Sequence, residues 1–516
     1  MPRPLFFALL VLALVGVWLV WFATPYGMGL TDDSIAYIGA ARTLLKGEGY
    51  RAAWLASQRF LTHFPPGYPL ALATIDLLTG LEPYRAARLL NGLLFGLNTL
   101  LMGWLGWRMT RRPLWALAPA MLFLFSAGLL RVHIYALSEP LYIFLTLAAF
   151  HAWLWDEDRP RNGLWSYRGE ILAGLFSGLA YVTRYAALAL IATFLALPFF
   201  LPFSWRERLK RIVIYLLAVL PLPLAWSIRN MVVVGNLTNR LMVWHPVTPE
   251  QLRQGIHTFS SFLVPLESWR AALRQAWPPL FTLLVILLFL TLIAWLLYWA
   301  WKSLWLRTTT PPQRAHLLQA LYAVAYPASM LASISLFDAS TPLNWRILSP
   351  LFPPLLALAV AALASLGKRS HIPATLLLLA LLSLHLAGGI ETLHTLRMDG
   401  QGFASWRWYD AVILKEIPKL PPEVRIYTNQ GPAVYFYTGR TTYALPAAIA
   451  ATTRLPNAGV EQAIETIRQE VLQGKAVVAL FDRDNPAPEH LLVVQGLPVL
   501  YKTGQDALFG LKELLP

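Results

Sequence analysis

Eleven apolar runs divide most of the chain, at roughly 5–23, 84–107, 113–130, 134–155, 170–184, 186–203, 209–228, 277–301, 316–337, 345–366 and 372–390. Leu280–Trp301 and Ile372–Ile390 contain no Asp, Glu, Lys or Arg. About 20 consecutive apolar residues make a helix long enough to cross a hydrocarbon core. The runs at 170–184 and 186–203 are short for that, so they are expected to tilt, to pack inside the bundle or to merge. Two stretches break the pattern. Residues 24–83 are too polar to cross, and within them Gly67–Leu78 reads as a short helix lying on or dipping into the membrane. From Glu391 onward the period changes. Val424–Thr428 and Ala476–Phe481 read as strands, Glu461–Gln473 as a helix stopped by Gly474, and Val499–Thr503 with Ala507–Lys512 as a hairpin around Gly504-Gln505-Asp506. The predicted fold is an α-helical polytopic membrane bundle of about eleven spans, eleven to thirteen in range. It carries a large first external loop (24–83), a second external loop (229–276) and a small external C-terminal α/β domain. Residues 1–390 form the membrane domain and 391–516 the external one.

Composition agrees with this reading. Of 516 residues, 57% are hydrophobic and 13% charged, whereas soluble domains average about a quarter charged. The net charge of +15 does not point to nucleic acid, because much of it sits in short joints between apolar runs. Arg3; Arg108, Arg111 and Arg112; Arg159, Arg161 and Arg168; Arg206, Arg208, Lys210 and Arg211; Lys302, Arg307 and Arg314; and Lys368 and Arg369 occupy alternate joints. Basic joints face the cytoplasm. The N-terminus is therefore expected inside, its first run a retained signal anchor in the plasma (inner) membrane. The 24–83 loop, the 229–276 loop and, after an odd number of spans, the C-terminal domain are expected outside. The 229–276 loop nevertheless holds five arginines, which need a reason to be there. Zero cysteines exclude disulfides, thiolate metal sites and a cysteine nucleophile.

Candidate chemistry gathers on the predicted outer face. Asp32 and Asp33 open the first loop, either as caps for a helix from Ser34 or as catalytic acids. Glu139 lies where a span begins, and an acid there needs a partner or a wet cavity. Arg184, Arg229 and Arg346 stand at apolar helix ends, with a fixed charge and a fork of donors that suit phosphate oxygens, or with heads that snorkel. Tyr37, His63, Tyr68 and His133 are candidate lining residues. Asp32, Asp33 and His63 are the candidate ligands if the chemistry takes a divalent metal, although their spacing matches no metal signature; the cofactor requirement is otherwise open. No phosphate-binding P-loop, Gly-x-Ser-x-Gly elbow or HExxH is present.

These segments resemble the GT-C glycosyltransferases, in the branch of protein O-mannosyltransferases and bacterial aminoarabinose transferases. The resemblance rests on Asp33-x-x-x-Tyr37-x-x-x-Ala41-x-x-Leu44-x-x-Gly47-x-Gly49-Tyr50 followed by Pro65-Pro66-Gly67-Tyr68-Pro69. Ser138-Glu139-Pro140, Tyr181-x-Thr183-Arg184-Tyr185, Trp226-x-x-Arg229-Asn230 and Arg346-x-Leu348-x-Pro350 extend it. Ile426-Tyr427-Thr428-Asn429-x-x-Pro432 and Tyr437-Thr438-Gly439-Arg440 carry it into the last domain. It implies an inverting transfer of a sugar from a polyprenyl-phosphate carrier to a lipid, glycan or protein acceptor at the outer face. Asp33 matches the first-loop catalytic acid and Glu139 an acid of the next external loop. Mannosyltransferases have Asp-Glu where this chain has Asp33-Ser34, and aminoarabinose transferases have Glu-Lys-Pro where it has His63-Phe64-Pro65. Sugar and acceptor stay open for that reason. Two other classes compete: a transporter or lipid flippase, and a non-catalytic cell-envelope assembly protein.

Overall fold

A computed structural model describes residues 1–155, 164–238, 240–307, 309–367, 370–482 and 486–514. Arg159, Arg161, Lys368 and Arg369, counted above toward orientation, lie outside the described residues. The helices run in order α1 (Arg3–Ala23), α2 (Asp32–Leu45), α3 (Gly67–Thr79), α4 (Pro83–Thr110), α5 (Pro113–Phe125), α6 (Ala127–Ile134), α7 (Glu139–Trp155), α8 (Arg168–Tyr181) and α9 (Leu188–Ala196). They continue as α10 (Trp205–Val219), α11 (Pro221–Val234), α12 (Pro249–Leu263), α13 (Glu267–Ala276), α14 (Leu280–Leu306), α15 (Pro311–Leu336), α16 (Trp345–Leu348), α17 (Phe352–Leu366) and α18 (His371–Asp399).

The protein is a multi-pass membrane protein, but its eleven apolar runs do not become eleven long helices. By length and composition, six helices among the described residues can cross a membrane: α1, α4, α14, α15, the continuous α16–α17 stretch and α18. Two further runs become bent pairs, α5–α6 with a 58° bend and α10–α11 with a 46° bend, for up to eight spans. The second bend falls at Leu220-Pro221, where proline removes a backbone donor and clashes with the preceding turn. The first falls at Ser126, whose ψ of 117° leaves the helical region. The remaining three runs are the shorter α7, α8 and the Tyr185–Phe200 stretch around α9. Most of α7 is buried, although its run, 134–155, was not one of the two short runs expected to tilt, pack inside the bundle or merge.

Small residues let these helices approach closely, as packing between membrane helices requires. A Cβ on Gly96 of α4 would lie 2.7 Å from Ala13 O of α1, and one on Gly174 of α8 would lie 2.6 Å from Ala218 Cβ of α10. The predicted surface helix is α3, with Leu77 and Leu78 exposed. Loop 229–276 folds into the amphipathic α12 and α13.

Helix α18 continues past Ile390 to Asp399 before the C-terminal domain starts. Its sheet has the order β2-β1-β3-β5-β4, from β1 (Arg425–Thr428), β2 (Tyr443–Ala444), β3 (Ala476–Leu480), β4 (Val499–Thr503) and β5 (Asp506–Phe509). The first three are parallel, with Ile426 beside Val477, and β5 pairs antiparallel with both β3 and β4. β3 is buried on both faces, as a central strand of this kind must be.

This domain docks on the first loop. Leu30 N–H donates to Gln401 O at 3.2 Å and Phe403 N–H to Leu30 O at 2.9 Å. The approach is so close that a Cβ on Gly402, whose φ is +56°, would meet Leu30 O at 1.9 Å. Thr442 N–H donates to Trp54 O at 2.9 Å. The first loop and the C-terminal domain therefore share one face of the bundle.

Candidate active site

Helix α2 begins at Asp32, two residues before the expected start at Ser34, and this decides what the carboxylates are free to do. Thr31 is the cap. Its hydroxyl accepts from Ser34 N at 3.3 Å, and Ser34 Oγ accepts from Thr31 N at 3.0 Å. Such reciprocal pairing satisfies two otherwise orphaned donors. Asp32 and Asp33 thus occupy the first turn, where negative charge suits the helix dipole, and neither side chain serves as the cap.

Asp33 pairs instead with Arg346, through Oδ2 and Nη2. Arg346 Nε donates to Glu139 Oε1 at 2.5 Å, and Arg184 Nη1 lies 2.7 Å from the same oxygen. Arg184 Nη1 also donates to Ser138 Oγ at 3.0 Å, and that hydroxyl lies 3.2 Å from Tyr37 OH. Four segments far apart in sequence therefore share one ionic cluster. Local structure holds each of them. Asn344 Oδ1 caps α16 by accepting from Arg346 N and Ile347 N. Glu139 opens α7, with its side chain fully buried. The Pro65-Pro66-Gly67 turn presses on the segment before Arg184, where Gly67 N–H donates to Val182 O at 2.7 Å. A Cβ on Gly67 would lie 2.6 Å from Thr183 Oγ1, so this contact requires glycine.

The cluster forms one end of a cleft of about 520 Å³. Asp33, Tyr37, His63, Arg184 and Arg346 line it. The same cleft is lined by a second group, Arg240 with Asp338, whose nearest atoms are 3.4 Å apart, and His63 Nε2, 3.5 Å from Arg240 Nη2. The remaining wall is mixed, from hydroxyls such as Thr183, Ser329 and Ser333 to the apolar Leu188, Met330 and Phe337. Arg240 and Asp338 were not singled out in the sequence. The five arginines of loop 229–276 were the available signal, and only the fold separates Arg240 from the other four.

Electrostatics divides the two adjacent carboxylates. Burial would raise the Asp33 carboxyl, but Arg346 foremost, with Arg184 and His63, holds it below the ordinary aspartate range. Asp32 is raised, by desolvation and by the Asp33 charge, with Arg346 opposing. Burial, aided by Arg240, lowers the His63 imidazole, so it is neutral at pH 7. The Tyr37 hydroxyl is pushed up to about 12 by burial and then by Asp33, and it stays protonated.

The other candidates lie elsewhere. Asp32 does not line the cleft. Tyr68 is buried, donating to Asn91 Oδ1 at 3.1 Å. His133 is buried between Asn98 Nδ2 at 3.1 Å and Leu129 O at 2.7 Å. Arg229 is also outside the cleft lining. Its Nη1 donates to Leu61 O at 2.6 Å and its guanidinium lies 5.0 Å from the Trp226 ring, so it fastens the first loop to α11. Among the described residues no three His, Asp or Glu side chains are grouped to hold a metal ion. Asp32, Asp33 and His63 are thus not assembled as a metal site, because Asp33 turns to Arg346 and His63 to Arg240.

Comparison with known proteins shows what the chain and its fold are similar to. The dolichyl-phosphate-mannose-protein mannosyltransferase family matches residues 53–229, a stretch that includes Glu139 and Arg184 and lies between Asp33 and Arg346. The matched family and the structural relatives belong to the GT-C superfamily of membrane glycosyltransferases, and the chain has the GT-C fold. ArnT from Cupriavidus metallidurans, in a structure bound to undecaprenyl phosphate, superposes with a TM-score of 0.60 at 17% identity over 98% of each chain. The Archaeoglobus fulgidus oligosaccharyltransferase, in complex with Zn and sulfate, gives 0.60 at 14% identity over 98% of this chain and 74% of its own. The mycobacterial arabinofuranosyltransferase AftD gives 0.53 at 16% identity over 99% of this chain and 42% of its own. No curated protein matches the chain in sequence.

Proposed function

We propose that the protein is an inverting glycosyltransferase that moves a sugar from a polyprenyl-phosphate carrier to an acceptor hydroxyl, with Asp33 as general base. The observation that carries this reading is the convergence of Asp33, Arg184 and Arg346 on one cleft at the end of an apolar bundle. The matched family and the ArnT and oligosaccharyltransferase relatives support the reaction class.

In the proposed step the acceptor O–H proton passes to Asp33 as the oxygen attacks the sugar's anomeric carbon. The bond from that carbon to the phosphate oxygen breaks, and its electron pair leaves with the polyprenyl phosphate. Arg346 and Arg184, set at the cleft wall, stabilise the charge growing on that oxygen. Glu139 is a positioning residue: fully buried, it holds both guanidinium groups in place. Leu188 and Phe337, apolar and exposed beside the cleft, would meet the lipid. The first loop and C-terminal domain face the outside and the N-terminus the cytoplasm. A reporter fused after Asp399 that proved cytoplasmic would overturn this orientation.

The reaction is tested with the purified protein in vesicles, supplied with a panel of polyprenyl-phosphate sugars. Release of polyprenyl phosphate with transfer of the sugar supports the reading. Absence of turnover with every donor, together with no polyprenyl phosphate bound in a native mass spectrum, rejects it.

A further inference from the structure

The four charges at the cleft end cancel: Asp33 and Glu139 against Arg184 and Arg346. Arg346 gives Nε to Glu139 and Nη2 to Asp33. Its Nη1, and Nη2 of Arg184, have no hydrogen-bond partner among the described residues, and both arginines line the cleft. A phosphate binding arginine in the fork arrangement takes two adjacent nitrogens. On the open edge of Arg346 these are Nη1 and Nη2, and Nη2 is the nitrogen that Asp33 holds.

We propose that Asp33 and the phosphate of the lipid donor compete for Arg346, so that donor binding is what releases Asp33 to act on the acceptor. This rests on the reading of the cleft as a lipid-phosphate sugar site. An arriving phosphate leaves the neutral cluster with excess negative charge, and one carboxylate must yield. Glu139 is 0% exposed and is held by two arginines. Leaving it unpaired would strand a buried charge. Asp33 is 26% exposed at the cleft wall, in a first helical turn whose dipole still supports it. It is the carboxylate that can let go.

Release changes what Asp33 can do. Held by Arg346, with Arg184 and His63 beyond and Asp32 and the Tyr37 hydroxyl alongside, it is a weak base. Without the guanidinium contact and with a phosphate nearby, its proton affinity rises, as does its strength as a general base. The order of events follows: donor first, then acceptor.

Competition is reciprocal, so removing the Asp33 charge should strengthen phosphate binding. The dissociation constant for undecaprenyl phosphate is measured in detergent for the wild type, Asp33→Asn and Asp32→Asn, with a melting temperature for each. Asp33→Asn is expected to bind roughly tenfold more tightly, the equivalent of one unit of proton affinity. Asp32→Asn, which has no contact with Arg346, should stay within about threefold of wild type. Equal or weaker binding in Asp33→Asn overturns the proposal, as does equal tightening in Asp32→Asn, which would mark a general charge effect. Should Asp33→Asn fail to fold, Asp33→Ser carries the same two outcomes. Binding that is present but not tightened sinks the competition alone. Absence of binding in the wild type and in every variant sinks the underlying functional reading with it.

Discussion

Among the described residues, two largely buried arginines, Arg346 and Arg211, each bridge two carboxylates, and of the pair it is Arg346 that lines the cleft. Arg346 joins Asp33 and Glu139 at the wall of the cleft. Arg211 of α10 joins Glu170 of α8 and Glu207, with Nε 2.8 Å from Glu207 Oε1. The Arg211 guanidinium is covered by the Phe203 and Tyr167 rings, 4.5 and 5.4 Å away, and it is 5% exposed against 17% for Arg346. Ionic chemistry alone therefore does not mark a site. What distinguishes the two clusters is a cleft lined by Asp33 and Arg346, proposed above as the substrate's place and the reason Asp33 can let go.

The largest expected effect of breaking this contrast falls on the sealed cluster. Arg211→Ala removes the buried ion pairs to Glu170 and Glu207 and should lower stability by about 3–5 kcal/mol, read as a large fall in melting temperature. The surviving folded fraction should transfer sugar at a normal rate per molecule. A lower rate at full stability would make the second cluster functional after all.

Next comes Arg346. Its replacement by alanine should weaken donor use by about 2–5 kcal/mol in kcat/KM, the range for truncating one member of a buried charge pair. Arg346→Lys keeps the charge, loses the fork and should fall between alanine and wild type. Equal, negligible effects from the two changes would return Arg346 to a snorkelling role.

Arg229 sharpens the comparison from the other side. Arg229→Ala leaves Leu61 O and Asn230 Oδ1 without their donor and should cost about 1–3 kcal/mol of stability, with undecaprenyl phosphate affinity unchanged. A selective loss of that affinity would put Arg229 back among the donor ligands.

The smallest effect is a displacement along the pH axis. Asp33 must be ionised to accept a proton, so activity is lost as pH falls through its titration. In the free protein that titration lies below the ordinary aspartate value, and kcat/KM reports it. If the donor frees Asp33, the acid limb of kcat should lie at higher pH than that of kcat/KM. Coincident limbs would mean that Asp33 stays on Arg346 throughout.

Much of this architecture was legible in the chain because it depends on local pattern. Helix α1 and strands β1 and β3 fall within a residue or two of their apolar runs, and Glu139 stood out as an acid at the start of a span. The 134–155 and 170–184 runs were less legible. Hydropathy reports burial, and a short helix such as α7 that packs inside a bundle scores like one facing lipid. The capping role went to Thr31, since a threonine followed three residues later by serine is a weaker signal than an aspartate pair. Arg229 and Arg240 show the clearest limit. Both belong to the same arginine-bearing stretch, 229–276. The fold puts one on the Leu61 carbonyl and the other in the cleft, and sequence spacing carries no trace of that difference.

The central claim is that Asp33 is the base of a sugar transfer and not a structural ion-pair partner like Glu170. The most direct measurement sets transfer rate beside melting temperature for Asp33→Asn, with a polyprenyl-phosphate sugar at saturation. Asparagine keeps the size of the side chain, and Thr31 still caps α2, so the fold should persist. The account predicts a fall in transfer of roughly 10²–10⁴-fold, the range for loss of a general base, with the melting temperature changed little. Full transfer in Asp33→Asn, or a loss that merely follows unfolding, would contradict it.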